Sequence, residues 1–248
     1  MAVLASHQPD FIPYPGFFYK MLRSDIFILS DDVAYSNSEM HKYNFIIGPE
    51  GRNRIGLPVQ AHADGTPLKD VRLSYDKRLN EKLLKTFEQT YSRHPFFPQY
   101  GPEFMEMIED AGRTPFLLSL ENSCLIYWFA EHLAYDGNII RASFLNPEGR
   151  RDERILDICR KVGGVDEYLS GLGAAAYHEP EKYEAAGVRL TYTDYKPIVY
   201  PQYGNRGEFV PNLSMIDYVM NCGFELPKEW RECHVRRDRT VRHLYPQL

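Results

Sequence analysis

A histidine and a pair of aspartates follow two apolar runs near the start of the chain. His7 comes after the run AVLAS, and Asp31 and Asp32 come after DIFILS. Reactions that remove a proton near neutral pH need a base, and imidazole suits this role because its ordinary pKa is near 6.5. The sequence therefore indicates His7 as a candidate catalytic base. A histidine that only ties a turn together fits the same pattern equally well.

The two aspartates cannot both serve one site. Adjacent side chains on an extended chain point to opposite faces, so only one of Asp31 and Asp32 can enter the site of His7. We expect Asp32 to orient His7 or the acceptor and Asp31 to bind substrate, although the reverse choice stays open. Solvated carboxylates at strand ends are the alternative.

Lys20, on the helix after His7, is a third catalytic candidate because it could neutralise a phosphate or an oxyanion. A solvated lysine on a helix face is the alternative.

Further polar residues are candidates for binding substrate. Asn122 lies inside the apolar helix SLENSCLIYWFA, where its amide either lines a cleft or joins a core network. Ser170 and Gly171 follow a predicted strand and could offer backbone N–H groups to an anion. The complete set of predicted substrate-binding residues is Gln8, Asp31, Tyr35, Asn44, Asn122, Ser170, Gly171 and Gln202.

The elements that must position these residues alternate between strands and helices. The first thirty residues are typical of a strand, a turn, a helix and a second strand, and further alternation follows IIRAS near residue 140. We predict an α/β fold with a mostly parallel central sheet in Rossmann-like layers. A helical insertion at about residues 79–135 is expected to cover the site, and KDVRLSY is predicted as a strand. The single domain spans 1–224, and 225–248 form a basic tail that is either solvated or docks an acidic partner.

Composition excludes several functional classes. The chain has 29 Lys and Arg against 34 Asp and Glu, a formal net charge of −5, so we expect no nucleic acid partner. The four cysteines form no CxxC pair or zinc pattern, and no metal site is predicted. The start of the chain is not typical of a secretory signal, and no apolar run is long and uninterrupted enough to predict a membrane span. These features predict a cytoplasmic location.

The segment HQPDFIPYPGFFYKMLRSDIFILSDDVAYS resembles the opening of the WbqC-like protein family. The similarity continues through TYSRHPFFPQY, YLSG and FVPNLSMIDYVMNCG, and so covers residues 1 to about 224. The resemblance implies a cytoplasmic protein of surface-polysaccharide or natural-product biosynthesis that transfers glycine or another acyl group to an amino sugar. Ala34 stands where the family usually has Gln, and the run from Lys42 to Phe45 lacks two arginines of the family pattern. The loss of these arginines implies a different ligand.

The resemblance, together with the candidate residues His7 and Asp32, implies an acyl or aminoacyl transferase that forms an amide on a small amine or amino sugar. An acyl thioester of CoA or of an acyl carrier protein is the expected co-substrate, and the carrier protein would then be a partner. Three alternatives stay open. A thioester or amide hydrolase would use the same base with water in place of the amine. A nucleotidyltransferase shares the strand–histidine–helix opening, but it has a second histidine that this chain lacks. A ligand-binding subunit would need no catalytic residues.

Overall fold

A computed structural model describes residues 1–74, 76–111, 117–205, 207–228 and 230. Its strands are β1 (Ala2–His7), β2 (Ile26–Leu29), β3 (Tyr43–Gly48), β4 (Gly51–Gly56), β5 (Asn138–Arg141), β6 (Val165–Ser170) and β7 (Arg189–Tyr192). Its α-helices are α1 (Pro15–Leu22), α2 (Lys77–Tyr91), α3 (Phe97–Ala111), α4 (Leu118–His132), α5 (Ala142–Leu145), α6 (Asp152–Val162), α7 (Pro180–Ala185) and α8 (Met215–Cys222). Leu68–Asp70 and Leu172–Tyr177 are 3₁₀ helices.

Five strands form one parallel sheet in the order β5-β2-β1-β6-β7. This arrangement confirms the predicted α/β fold. Strands β3 and β4 form a separate antiparallel hairpin, in which Gly48 pairs with Gly51 at the turn. The prediction of a strand at KDVRLSY was wrong: the segment begins in a 3₁₀ helix and makes only single bridges at Arg72 and Leu73, among its described residues.

The sheet is buried on both faces because alternate residues of its strands pack into two different cores. Ala5, Phe27 and Leu29 pack into one core with α1, α4 and α8. Leu4 and Ile28 point the other way, into a core formed with α6 and α7. Strand β2 is buried at every residue, as expected for the middle of a layered parallel sheet.

The order of the strands reverses at β1. From β1 the chain passes to β2 and then β5 on one side, whereas β6 and β7 lie on the other side. In open α/β sheets a crevice forms at such a reversal, beyond the carboxyl ends of the two central strands. Here those ends are His7 of β1 and Ser170 of β6, so the topology predicts a ligand-binding crevice between these two residues.

Helices α2, α3 and α4 form the predicted helical segment between the hairpin and β5. The side chain of Asp76 caps α2 by accepting hydrogen bonds from the backbone N–H groups of Arg78 and Leu79. A buried polar network joins α2 to α8: the Tyr91 and Tyr200 hydroxyls each donate to the Asp217 carboxylate at 2.7 Å. Burial raises the pKa of Asp217, although these hydrogen bonds oppose the change.

Among the described helices, none has both the length and the apolar character needed to cross a membrane. Trp230 is buried against the rings of Tyr19 and Tyr195, so the chain still packs on the domain beyond residue 224. Most of the predicted basic tail, residues 231–248, lies outside the described residues.

Candidate functional site

A cleft of about 510 Å³ opens at the carboxyl ends of β1 and β6. We call it the β1/β6 cleft. Its lining residues are Ser6, His7, Gln8, Tyr14, Gly16, Lys20, Ser30, Val33, Tyr168, Ser170, Gly171, Leu172, Gly173, Ala174, Thr193 and Tyr195. The volume lies within the range of small-molecule sites, and the position is the reversal point of the sheet.

His7 ends β1 and faces the cleft with its imidazole packed edge-on against Phe17, at 5.0 Å between ring centroids. Its Nδ1 lies 3.0 Å from the carbonyl oxygen of Gln8, which can only accept a hydrogen bond, so Nδ1 carries the proton and Nε2 keeps its lone pair. Burial, together with the positive charge of Lys20, lowers the pKa of His7 to about 3. His7 is therefore neutral at physiological pH and a weak base in the free protein.

Lys20 reaches the cleft from α1 and is only 6% exposed. Its ammonium group donates a 2.7 Å hydrogen bond to the backbone carbonyl oxygen of Ser6. Burial lowers the pKa of Lys20 to about 8, although the carboxylate of Asp10 opposes the change. Within the described part of the chain Lys20 forms no ion pair with a carboxylate, so its positive charge is available to an anion in the cleft.

The carboxylate near His7 is that of Asp10, which the sequence reasoning missed. Its Oδ2 lies 3.6 Å from His7 Nδ1. Its buried Oδ1 lies 4.0 Å from His41 Nε2 and has no hydrogen-bond partner among the residues that the structure describes. Burial raises the pKa of Asp10 to about 7, helped by Glu39 and opposed by Lys20. The position of Asp10 three residues after His7, inside the same turn, was the signal that could have identified it.

Asp31 and Asp32 were expected at the site, but the structure places both carboxylates elsewhere. Asp31 is fully buried and accepts hydrogen bonds from the Arg141 guanidinium and from the backbone and hydroxyl of Ser143. Asp32 forms an ion pair with Arg154 on α6. Arg141 ends the neighbouring parallel strand β5, whereas Arg154 comes from α6, and a guanidinium group satisfies each carboxylate. Neither aspartate contacts His7 or lines the cleft.

Asn44 and Asn122 hold the loop that follows His7. Asn44 Nδ2 donates to the carbonyl oxygens of Phe11 and Ile12 at 3.1 and 2.8 Å. Asn122 Nδ2 donates to the carbonyl oxygens of Pro9 and His41, both at 2.7 Å. Both asparagines are fully buried, and buried carbonyl groups need such donors. The two amides therefore shape the loop instead of lining the cleft.

Tyr35 and Gln202 also lie outside the cleft lining. The Tyr35 hydroxyl donates to the side-chain oxygen of Asn37 at 3.0 Å. Gln202 closes a surface loop by donating to the carbonyl oxygen of Val210 and accepting from its N–H. The described residues of the helical segment α2–α4, which was expected to cover the site, likewise do not line the β1/β6 cleft. The apolar faces of this segment pack on the hairpin and on α8.

Five of the predicted site residues do meet at the cleft, namely His7, Gln8, Lys20, Ser170 and Gly171. Ser170 lies in a hydrogen-bonded chain. Its Oγ is 2.8 Å from His178 Nε2, and His178 Nδ1 is 2.5 Å from Oδ1 of Asp152. No local sequence pattern indicates these hydrogen bonds, since Asp152, Ser170 and His178 are separated by 18 and 8 positions.

Several tyrosines of the lining were also missed. Tyr14 follows the β1 loop, Tyr168 belongs to β6, and Tyr195 follows β7. Burial raises the pKa of Tyr168 to about 12, and it also raises those of Tyr14 and Tyr195. Their neutral hydroxyls and rings suit a polar organic ligand. The end of β7 could have been predicted, because every parallel strand delivers its carboxyl end to the same edge.

No cluster of three or more His, Cys, Asp or Glu side chains that could hold a metal ion occurs in the part of the chain that the structure describes.

Comparison with known proteins identifies one family and one relative. The model of the WbqC-like protein family matches residues 8–229. An uncharacterized protein of Mycobacterium tuberculosis is 25% identical over 244 residues, which cover 94% of this chain and 99% of that protein. No solved structure matches the chain.

Proposed function

We propose that this chain, which belongs to the WbqC-like protein family, transfers an acyl group to the nitrogen of a small amine in the β1/β6 cleft. The observation that carries the proposal is Lys20, a buried ammonium group that lines the cleft beside a neutral imidazole. A buried cation of this kind stabilises negative charge that develops on a reacting oxygen, because water does not screen it.

The two sides of the cleft suit the two substrates of such a reaction. Lys20 binds the acyl oxygen and stabilises the oxyanion of the tetrahedral intermediate. His7 accepts a hydrogen bond at Nε2 from the acceptor amine and so orients it; its low pKa makes it a positioning group here rather than the base first expected. The tyrosines of the lining contact the body of the acceptor, for which an amino sugar is a suitable candidate.

A thioester of CoA or of an acyl carrier protein is the donor that we propose. The cleft volume of about 510 Å³ accommodates an acyl group together with a small acceptor, while the long thiol carrier extends outward. On this view the protein acts in surface-polysaccharide or natural-product biosynthesis, as family resemblance implies.

The test is a product assay with purified protein, acyl-CoA and acyl-pantetheine donors, and amino-sugar acceptors, read by mass spectrometry. Lys20→Met should lower the rate of amide formation about 100-fold or more, the usual effect of removing an oxyanion-stabilising group. Lys85→Met, the same change at an exposed position of α2, is the matched control and should retain the rate.

Three results would contradict the proposal. Consumption of thioester without amide product would indicate a hydrolase. Stabilisation and turnover only with nucleoside triphosphates, with release of pyrophosphate, would indicate nucleotidyl transfer. Tight ligand binding without any turnover would indicate a binding subunit.

A further inference from the structure

We propose that Ser170 is a nucleophile that carries the acyl group as an ester between donor and acceptor, activated by His178 and Asp152. The identity of the transferred group rests on the proposed acyl transfer. The reactivity of Ser170 rests on geometry that is independent of that proposal.

The hydrogen-bonded chain fixes the direction in which each proton is donated. The Asp152 carboxylate accepts at Oδ1 from His178 Nδ1–H, at 2.5 Å. His178 Nε2 then keeps its lone pair and accepts from the Ser170 hydroxyl, at 2.8 Å. The same hydroxyl is 3.5 Å from the carbonyl oxygen of Gly171, a much weaker interaction. A serine hydrogen-bonded to a histidine, which is in turn hydrogen-bonded to an aspartate, is the arrangement by which proteins of unrelated folds activate a serine.

The aspartate is held as such an arrangement requires. Its Oδ2 accepts from the backbone N–H of Glu179 at 2.8 Å, and its Oδ1 also accepts from the Tyr183 hydroxyl at 2.9 Å. Burial alone would raise the pKa of Asp152, but the hydrogen bonds from His178, Glu179 and Tyr183 outweigh it and lower the pKa. The side chains of His178 and Asp152 are 9% and 3% exposed, so little water competes for these bonds.

The position of Ser170 at the end of β6 places this residue in the lining of the β1/β6 cleft, where a substrate would bind. Ser170 ends β6 and lines the cleft, next to Ser6 of β1, because the register pairs Ala5 with Leu169. A Cβ placed at Gly171 or Gly173 would meet no atom within 4 Å, so the backbone after Ser170 borders open space. Lys20 lines the same cleft from α1, which packs on the face of the sheet opposite to α6 and α7.

The proposed reaction has two balanced steps. Ser170 Oγ attacks the thioester carbonyl carbon while its proton passes to His178 Nε2; the C–S bond then breaks, and the thiol leaves with that proton. In the second step the amine attacks the ester carbon and gives its proton to His178. The bond from carbon to Oγ breaks, the proton returns to Ser170, and an amide is released.

The experiment uses a fluorophosphonate probe, which forms a covalent bond with activated serines, followed by peptide mapping. We expect labelling at Ser170 in the wild-type protein, complete loss in Ser170→Ala, and a rate at least 100-fold lower in Asp152→Asn, which disturbs the imidazole tautomer. Ser143→Ala is the matched control, since Ser143 bonds to a carboxylate, that of Asp31, without a histidine. Its labelling should equal that of the wild type. Melting temperatures establish that each variant is folded.

Intact-mass measurement with an acyl-pantetheine donor separates this inference from the proposed function. An acyl adduct on Ser170 that an added amine converts to amide supports both. An adduct that only water discharges supports the nucleophile and contradicts the transferase. Amide formation that is unchanged in Ser170→Ala overturns the nucleophile and leaves the transferase standing. Absence of probe labelling at Ser170, or equal labelling in Asp152→Asn, also overturns it.

Discussion

Replacement of Asp10 by Asn should stabilise the protein increasingly as the pH rises. Asp10 is buried beside His7, and one of its carboxylate oxygens has no hydrogen-bond partner in the described part of the chain. An asparagine has nearly the shape of the protonated acid but never ionises. The substitution therefore removes the free-energy cost of a buried negative charge and leaves the packing in place.

The magnitude follows from the change in pKa. Burial raises the pKa of Asp10 from 3.8 to about 7, which corresponds to about 4 kcal/mol of free energy of unfolding. Because the folded-state pKa is the higher one, the stability from protonated Asp10 is fully present below about pH 4 and is lost as the pH rises to about 7. From pH 5 to pH 8 the advantage of Asp10→Asn should grow by about 3 kcal/mol.

Urea unfolding of both proteins at pH 5 and pH 8 measures this difference. Asp64→Asn is the matched control, because Asp64 is exposed; its effect should be the same at both pH values. An advantage of Asp10→Asn that does not change with pH, or a loss of stability at pH 8, would refute the reasoning that burial dominates the energetics of this carboxyl group.

Three further substitutions test other parts of the structure. Asp217→Ala should lower the free energy of unfolding by about 3 kcal/mol, because it leaves two buried tyrosine hydroxyls unpaired; equal urea midpoints would contradict this. Asn122→Ala should lower it by about 2 kcal/mol and also weaken ligand binding in the cleft, since the loop after His7 loses its anchor; unchanged affinity in titration calorimetry would count against the anchoring role. Gly16→Ala places a Cβ 2.3 Å from the Tyr14 ring, which must then move into the cleft. We expect a nearly unchanged melting temperature but weaker ligand binding in the cleft. Unchanged ligand binding would show that this ring does not shape the site.

Local patterns in the sequence predicted most of the fold. Alternation of apolar runs with helical periodicity identified the strands β1, β2, β5 and β6. KDVRLSY was misassigned because its β-branched and aromatic residues favour a strand locally. Packing under α4 instead gives it a 3₁₀ turn.

The predicted residues that line the cleft lie mostly at the ends of strands, with Lys20 on α1 as the exception. His7 and Ser170 end neighbouring parallel strands, so their meeting follows from topology. Asp31 also ends a strand, but its burial against Arg141 depends on a partner 110 residues away, which no local pattern encodes. The same holds for Asp152 and His178, which reach Ser170 from two other segments of the chain.

The central claim, that the β1/β6 cleft binds the acyl donor, is tested most directly by the dissociation constant of an acyl-pantetheine thioester. Gly171→Leu adds a side chain where a Cβ meets no atom within 4 Å, so it should fill the cleft without unfolding the protein. Gly207→Leu, at an exposed loop glycine outside the lining, is the control. We predict dissociation constants at least 10-fold higher for Gly171→Leu than for the wild type and the control, about 1.4 kcal/mol or more. Equal dissociation constants for all three proteins would place the donor elsewhere and contradict the claim.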